Sequence, residues 1–260
     1  MNHLIGLKVW SSNLTYNEAI YQLFENHQFD YIELFTVPGS FEKSCAEWVG
    51  IQRNARIPFI IHAAHYQSGL NMASSDFTQP QRFLIQEAFR FADALKSPYV
   101  IFHPGINGTE LAAIKKINEF KDERVLIENK PHVALDSGLV CNGSTPEAIA
   151  MVLKETQVGF CFDVGHAIYA ANALGADRFY FLKTFSRFNP KVIHLSDGDF
   201  ASIIDSHMHL GEGTFPFEKI LPLFPREKVF VTLETGKQSP HNLDDFSKDA
   251  QFIRDLMEKL

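Results

Sequence analysis

Cysteine is scarce. Cys45, Cys141 and Cys161 are few, odd in number and far apart, which excludes a disulfide frame and suits free thiols in a reducing cytoplasm. No stretch approaches the roughly 18 consecutive apolar residues of a membrane span. The start, Met1-Asn2-His3-Leu4-Ile5-Gly6-Leu7-Lys8, lacks both the basic opening and the long apolar run of a signal peptide. Basic charge is short as well: a net charge of −7 argues against a broad nucleic-acid-binding surface, although carboxylates that hold cations would be locally neutralised. Low-complexity segments, interdomain linkers and close repeats are missing. So is the Gly-rich phosphate turn of an open doubly wound sheet.

What is present fits one large unit. A hydrophobic content of 45% and 24 Phe in 260 residues are ample for a buried core, and the whole chain, 1–260, reads as a single domain. Strand-like apolar runs alternate with helical patterns. The strands are Leu4 to Trp10, Phe29 to Phe35, Ile57 to His62, Pro98 to His103, Arg124 to Glu128, Val158 to Phe162, Lys191 to Leu195 and Val229 to Glu234. Between them, Thr15-x-x-Glu18 reads as a capping box, and Phe41 to Ala55 as a helix. Pro80 opens another helix, with Leu84, Ala88, Phe91, Ala92 and Leu95 on one face. Leu111 to Phe120 is helical, Ser144-x-x-Glu147 caps the next helix with Pro146 in its first turn, and a helical stretch ends near Phe188. The last helix carries Phe246, Ala250, Ile253, Met257 and Leu260 on its inner face. Eight nearly continuous apolar strands, each followed by helix, predict an α/β fold, a (β/α)8 TIM barrel with its site at the C-terminal face of the strands.

The strands end in chemistry. His62, His103, Glu128, Asp163, His194 and Glu234 stand at or just after six strand tips, His166 follows Asp163 by three residues, and the loop after His194 adds Asp205 and His207. Taken singly, each has a structural explanation. A strand-end imidazole is usually a hydrogen-bonded residue, Glu128 and Glu234 have Lys130 and Lys237 nearby, and Asp205 and His207 would serve as turn formers. Together they bring five imidazoles and four carboxylates to one barrel mouth, where unpaired burial would cost several kcal/mol without cations. Such a mixture suits Zn2+, Mn2+ or Fe2+ over Mg2+ or Ca2+, and nine ligands exceed what one ion takes.

Several of these segments carry a family resemblance. Ile61-His62, Phe102-His103-Pro104-Gly105, Leu126-Ile127-Glu128-Asn129, Gly159-x-x-x-Asp163-x-x-His166, Ile193-His194-Leu195-x-Asp197, Asp205-x-His207-x-x-Leu210-Gly211-Glu212-Gly213 and Leu233-Glu234-Thr235 resemble the endonuclease IV (type 2 AP endonuclease) family, within the xylose-isomerase-like barrels. The resemblance implies up to three Zn2+ ions: one held by His62, His103 and Glu128, a second by Glu128, Asp163, His194 and Glu234, a third by His166, Asp205 and His207. It further implies hydrolysis of DNA 5′ to abasic sites, with Glu128 bridging the ions. The sequence departs from the family in His62-Ala63-Ala64-His65-Tyr66, in Asp163-Val164-Gly165-His166, in His194-Leu195-Ser196-Asp197-Gly198-Asp199, and in Val37-Pro38-Gly39-Ser40, which has no basic residue. The ligand set is kept while the DNA-contacting segments differ. The alternative is a sugar isomerase or epimerase, in which Glu128, Asp163, His194 and Glu234 hold one ion and the two glutamates, Glu128 and Glu234, move a proton. The expected partners are thus abasic DNA or a small sugar, with no membrane. His65 or Tyr66 would touch substrate or serve as a wall position, and His209 receives no role from the sequence.

Overall fold

The structure is a computed structural model and describes residues 3–135 and 138–260. Eight parallel strands close in sequence order: β1 (Leu4–Trp10), β2 (Tyr31–Phe35), β3 (Phe59–His62), β4 (Val100–Phe102), β5 (Val125–Glu128), β6 (Gly159–Asp163), β7 (Val192–Leu195) and β8 (Phe230–Leu233). The chain is a TIM barrel, as its alternation predicts. The helices α1 (Asn17–Glu25), α2 (Phe41–Ala55), α3 (Gln79–Ala94), α4 (Glu110–Phe120), α5 (Pro146–Thr156), α6 (Val164–Ala173), α7 (Arg178–Ser186), α8 (Phe217–Ile220) and α9 (Asp244–Lys259) fill the connections. No helix among the described residues is long and apolar enough to cross a membrane.

Strand periodicity splits the apolar residues in two. One parity, including Ile32, Leu34, Ile61, Val100, Phe102, Ile127, Phe160, Phe162 and Ile193, joins Trp48, Phe91, Ile149, Phe185 and Phe246 in a core between barrel and helices. The opposite parity, Tyr31, Ile60, Ile101, Leu126, Cys161 and Val192, forms a separate cluster inside the barrel, with Leu4, Tyr99 and Phe230 against it. Gly6 makes room in that interior: a Cβ there would lie 2.2 Å from the Tyr31 ring, whose hydroxyl lies 2.6 Å from Thr232 Oγ1. Two residues further along the inward parity the apolar series stops. Ile60 gives way to His62, Leu126 to Glu128, Cys161 to Asp163 and Val192 to His194.

Two helix starts differ from expectation. The Thr15-x-x-Glu18 capping box does not form. The turn Leu14–Tyr16 is 3-10, α1 begins at Asn17, and Thr15 Oγ1 instead donates to Pro240 O at 2.6 Å, tying the start of α1 to the loop after β8. The cap of α5 is Thr145 and not Ser144, because Pro146 occupies the first helical position. Thr145 Oγ1 accepts from Ala148 N at 3.2 Å, while Ser144 Oγ lies 3.1 Å from His132 Nδ1. The stretch ending near Phe188 is two helices, α6 and α7.

Candidate metal centre

All nine side chains singled out by sequence meet at the C-terminal mouth, and Glu128 is their centre. Its Oε2 lies 3.1 Å from His62 Nε2, 3.2 Å from His103 Nε2 and 3.5 Å from His194 Nδ1, and its Oε1 lies 3.0 Å from His166 Nδ1. His194 Nδ1 is also 2.8 Å from Glu234 Oε2 and 3.9 Å from Asp163 Oδ2. On the far side Asp205 Oδ2 sits 3.1 Å from His166 Nε2 and 2.8 Å from His207 Nε2. In each of the groups His62/His103/Glu128, Glu128/Asp163/His166 and His166/Asp205/His207 the candidate ligand atoms lie within 4.8 Å of one another.

Local structure explains the aim of each group. Asp163 ends β6 and caps α6. Its Oδ1 accepts from His166 N at 2.7 Å, which leaves Oδ2 for the cluster and turns His166 inward in the first turn of the helix. Asn129 locks β5 to β6 through a reciprocal pair with the Asp163 backbone, 2.8 Å each way. The β7–α8 loop is folded round Asp197, whose carboxylate accepts from the backbone N–H of Gly211, Gly213 and Phe215 at 2.9, 3.0 and 3.1 Å. That anchors the loop carrying Asp205 and His207, with His207 in the left-handed region at φ 45°. A Cβ at Gly213 would fall 2.4 Å from Asp197 Oδ1. The outer nitrogens of two rings are fixed as well, His62 Nδ1 2.8 Å from Ala63 O and His207 Nδ1 2.8 Å from Glu234 O, while His166 Nδ1 lies 2.9 Å from Asn129 O besides facing Glu128.

The family model of the xylose isomerase-like TIM barrel matches residues 22–256. The chain belongs to that family. This xylose isomerase-like barrel is 26% identical over 225 residues to a "Probable endonuclease 4" of Thermoplasma volcanium, covering 75% of this chain and 72% of that protein. Among solved structures it resembles a D-tagatose 3-epimerase-like protein (TM-score 0.73, 19% identity, 97% of each chain). It also resembles endonuclease IV from Thermus thermophilus (TM-score 0.71, 18% identity, 99% of this chain and 100% of that one). At these identities the structural likeness shows the fold; the endonuclease IV resemblance itself is carried by the sequence motifs and the curated relative.

The donor set of this xylose isomerase-like barrel fits cations. His194 Nδ1, Glu234 Oε2 and His103 Nδ1 are buried without a hydrogen-bond partner. Five carboxylates, Glu33, Glu128, Asp163, Asp205 and Glu234, face two ammoniums, Lys8 and Lys130, which leaves three negative charges when the imidazoles are neutral. Burial pushes the Glu128 and Glu234 carboxyls up, but neighbouring His and Lys charges outweigh it and hold both well below the usual carboxylate range. Burial would lower His166 and His207, yet Asp163 raises the first to about 10 and Asp205 the second to about 9. Without metal, protons on these two rings offset part of that charge.

Lys8 and Glu33 are members that the sequence motifs missed, and Lys130, read from the sequence as a neighbour of Glu128, joins them. Lys8 and Glu33 are register partners on β1 and β2, two residues below the tips, so inward strand parity was the signal that could have found them. Lys130 Nζ lies 3.2 Å from His166 Nε2, 3.4 Å from Glu128 Oε1 and 3.5 Å from His103 Nε2. Glu234 pairs with Lys8, at 2.6 Å, and not with Lys237, whose ammonium donates to Thr235 O. His209 turns away from the cluster to Asp249, with 2.8 Å between Nδ1 and Oδ2, and so anchors α9. His65 stacks on His103 with ring centroids 5.4 Å apart; burial holds it down, to about 3, as a neutral ring. Above the cluster lies a cavity of about 560 Å3, walled by Trp10, Phe35, His65, Tyr66, Lys130 and Lys237.

Proposed function

We propose that the chain is a metal-dependent phosphodiester hydrolase of the endonuclease IV type, acting on abasic DNA in the cytoplasm with up to three Zn2+ ions, Mn2+ or Fe2+ serving in their place. The observation that carries this reading is the group His166/Asp205/His207, with its ligand atoms within 4.8 Å of one another beside the Glu128 cluster. A one-ion isomerase needs Glu128, Asp163, His194 and Glu234 and has no use for a second imidazole–carboxylate group. His62, His103 and Glu128 hold one ion; Glu128, Asp163, His194 and Glu234 a second; His166, Asp205 and His207 a third. Bound divalent cations supply Lewis acidity at the phosphoryl oxygens and lower the pKa of water.

The chain's own residues do the rest. Glu128, ionised and reached from both oxygens by imidazoles, orients the attacking water by accepting its O–H. Lys130 brings a fixed positive charge to the cavity floor, where it attracts an anionic phosphoryl group. Phe35, His65 and Tyr66 form an aromatic wall that excludes bulk water. Purified protein loaded with Zn2+ or Mn2+ is expected to nick an end-labelled duplex on the 5′ side of an abasic site. Absence of cleavage there and on other phosphodiesters contradicts the proposal.

A sugar isomerase or epimerase is the second reading, favoured by the cavity, whose volume of about 560 Å3 suits a small molecule. Lys8 weighs against it: an ammonium 2.6 Å from Glu234 Oε1 stabilises the carboxylate and weakens it as a base. Interconversion of ketoses by the metal-loaded protein, without phosphodiester cleavage, would establish that reading instead.

A further inference from the structure

One imidazole in the cluster has a carboxylate behind it. His62 and His207 turn their outer nitrogens to backbone carbonyls and His103 Nδ1 is buried without a partner, but His194 Nε2 meets a carboxylate, Glu33 Oε2, at 2.9 Å. Glu33 is fully buried below the strand tips. Thr232 Oγ1 donates to the same oxygen at 2.6 Å, and Lys8 Nζ lies 3.2 Å from Oε1. The same ammonium reaches Glu234 Oε1 at 2.6 Å. The Lys8–Glu33 ion pair therefore grips two neighbouring candidate ligands from behind. The atoms left over, His194 Nδ1 and Glu234 Oε2, are buried, make no hydrogen bond and lie 2.8 Å apart.

We propose that Lys8 and Glu33 are positioning residues that aim His194 Nδ1 and Glu234 Oε2 at one cation, the ion also reached by Glu128 and Asp163. A carboxylate facing Nε2 keeps the ring proton there and frees the Nδ1 lone pair; being ionised, it strengthens that donor more than a carbonyl dipole does. Lys8 occupies one oxygen of Glu234 and leaves the other for the metal. It also neutralises Glu33, which otherwise would be an isolated charge inside the barrel. The Lys8–Glu33 pair thus fixes the direction of both donors. The inference rests on the metal reading of the site, and it holds for hydrolase and isomerase alike, since both use this ion.

The test compares wild type, Glu33→Gln and Thr232→Val as purified full chains loaded with Zn2+. Ions per chain are counted by mass spectrometry across a chelator series, and the melting of each metal-free chain is followed by circular dichroism. Glu33→Gln is expected to weaken one ion by roughly 10–100-fold, leaving the others and the metal-free melt unchanged. Thr232→Val shifts the same ion less, in the same direction. In 15N spectra of histidine-labelled protein, Glu33→Gln alters the Nδ1/Nε2 shift pattern of one ring. A wild-type chain that loads while Glu33→Gln loads equally tightly overturns the positioning role alone. Should Glu33→Gln fail to fold, unchanged affinity in Thr232→Val overturns it. A wild-type chain that takes up no ion overturns the metal centre and this inference with it.

Discussion

The barrel interior has two ends built on the same strands and the same parity. At the N-terminal end Tyr31, Ile60, Ile101, Leu126, Cys161 and Val192 pack as an apolar plug, with Leu4, Tyr99 and Phe230 against it. Two residues on, the same columns present Glu33, His62, His103, Glu128, Asp163 and His194. One end carries no charge, its Tyr31 hydroxyl being met by Thr232, and contributes stability; the other concentrates charge that only cations or protons can balance. Lys8, Glu33 and Thr232 form the seam between them. The contrast teaches that the site is a change of residue type along an unchanged backbone, so the two ends should fail in different ways when altered.

The largest expected effect lies at the charged end. Glu128→Gln should reduce turnover of whichever substrate the metal-loaded protein accepts by roughly 10²–10⁴-fold, while the metal-free chain stays folded by circular dichroism. Ile101→Ala, in the plug, should do the reverse. It should cost about 2–5 kcal/mol in urea unfolding and leave the metal count per chain unchanged.

The pH dependence sharpens the same contrast. His166 and His207 in the metal-free chain are raised to about 10 and about 9, above the ordinary histidine value. Their stabilisation is fully present below about pH 6.5 and is lost as pH rises through 9 to 10. Metal-free protein should accordingly unfold at lower urea at pH 10 than at pH 7. Zn2+ binding at pH 7 should displace protons from both rings, measurable as a buffer-dependent binding enthalpy that shrinks towards pH 10. The smallest effect belongs to Tyr16→Phe at the cavity rim. It removes the 2.6 Å hydrogen bond to Ser239 O and should cost about 0.5–1.5 kcal/mol with the metal count unchanged.

Much of this is legible in the sequence because strand ends carry chemistry in a regular pattern. The eight apolar runs predict the barrel, and His62, His103, Glu128, Asp163, His166, His194, Asp205, His207 and Glu234 converge as their positions imply. Lys8 and Glu33 are hidden there for a physical reason. Charged residues within an apolar strand usually face solvent, and only the closed barrel turns Lys8 and Glu33 towards His194 and Glu234. The caps expected at Thr15 and Ser144 do not form because capping competes with other demands on the same residues. Pro240 draws Thr15 away, and Pro146 moves the α5 cap to Thr145.

The most direct measurement of the multi-ion centre is the number of ions retained by the chain after Zn2+ loading and exhaustive dialysis, by mass spectrometry. The expected result is more than one ion per chain, about three at saturation. A count of one or none would contradict it.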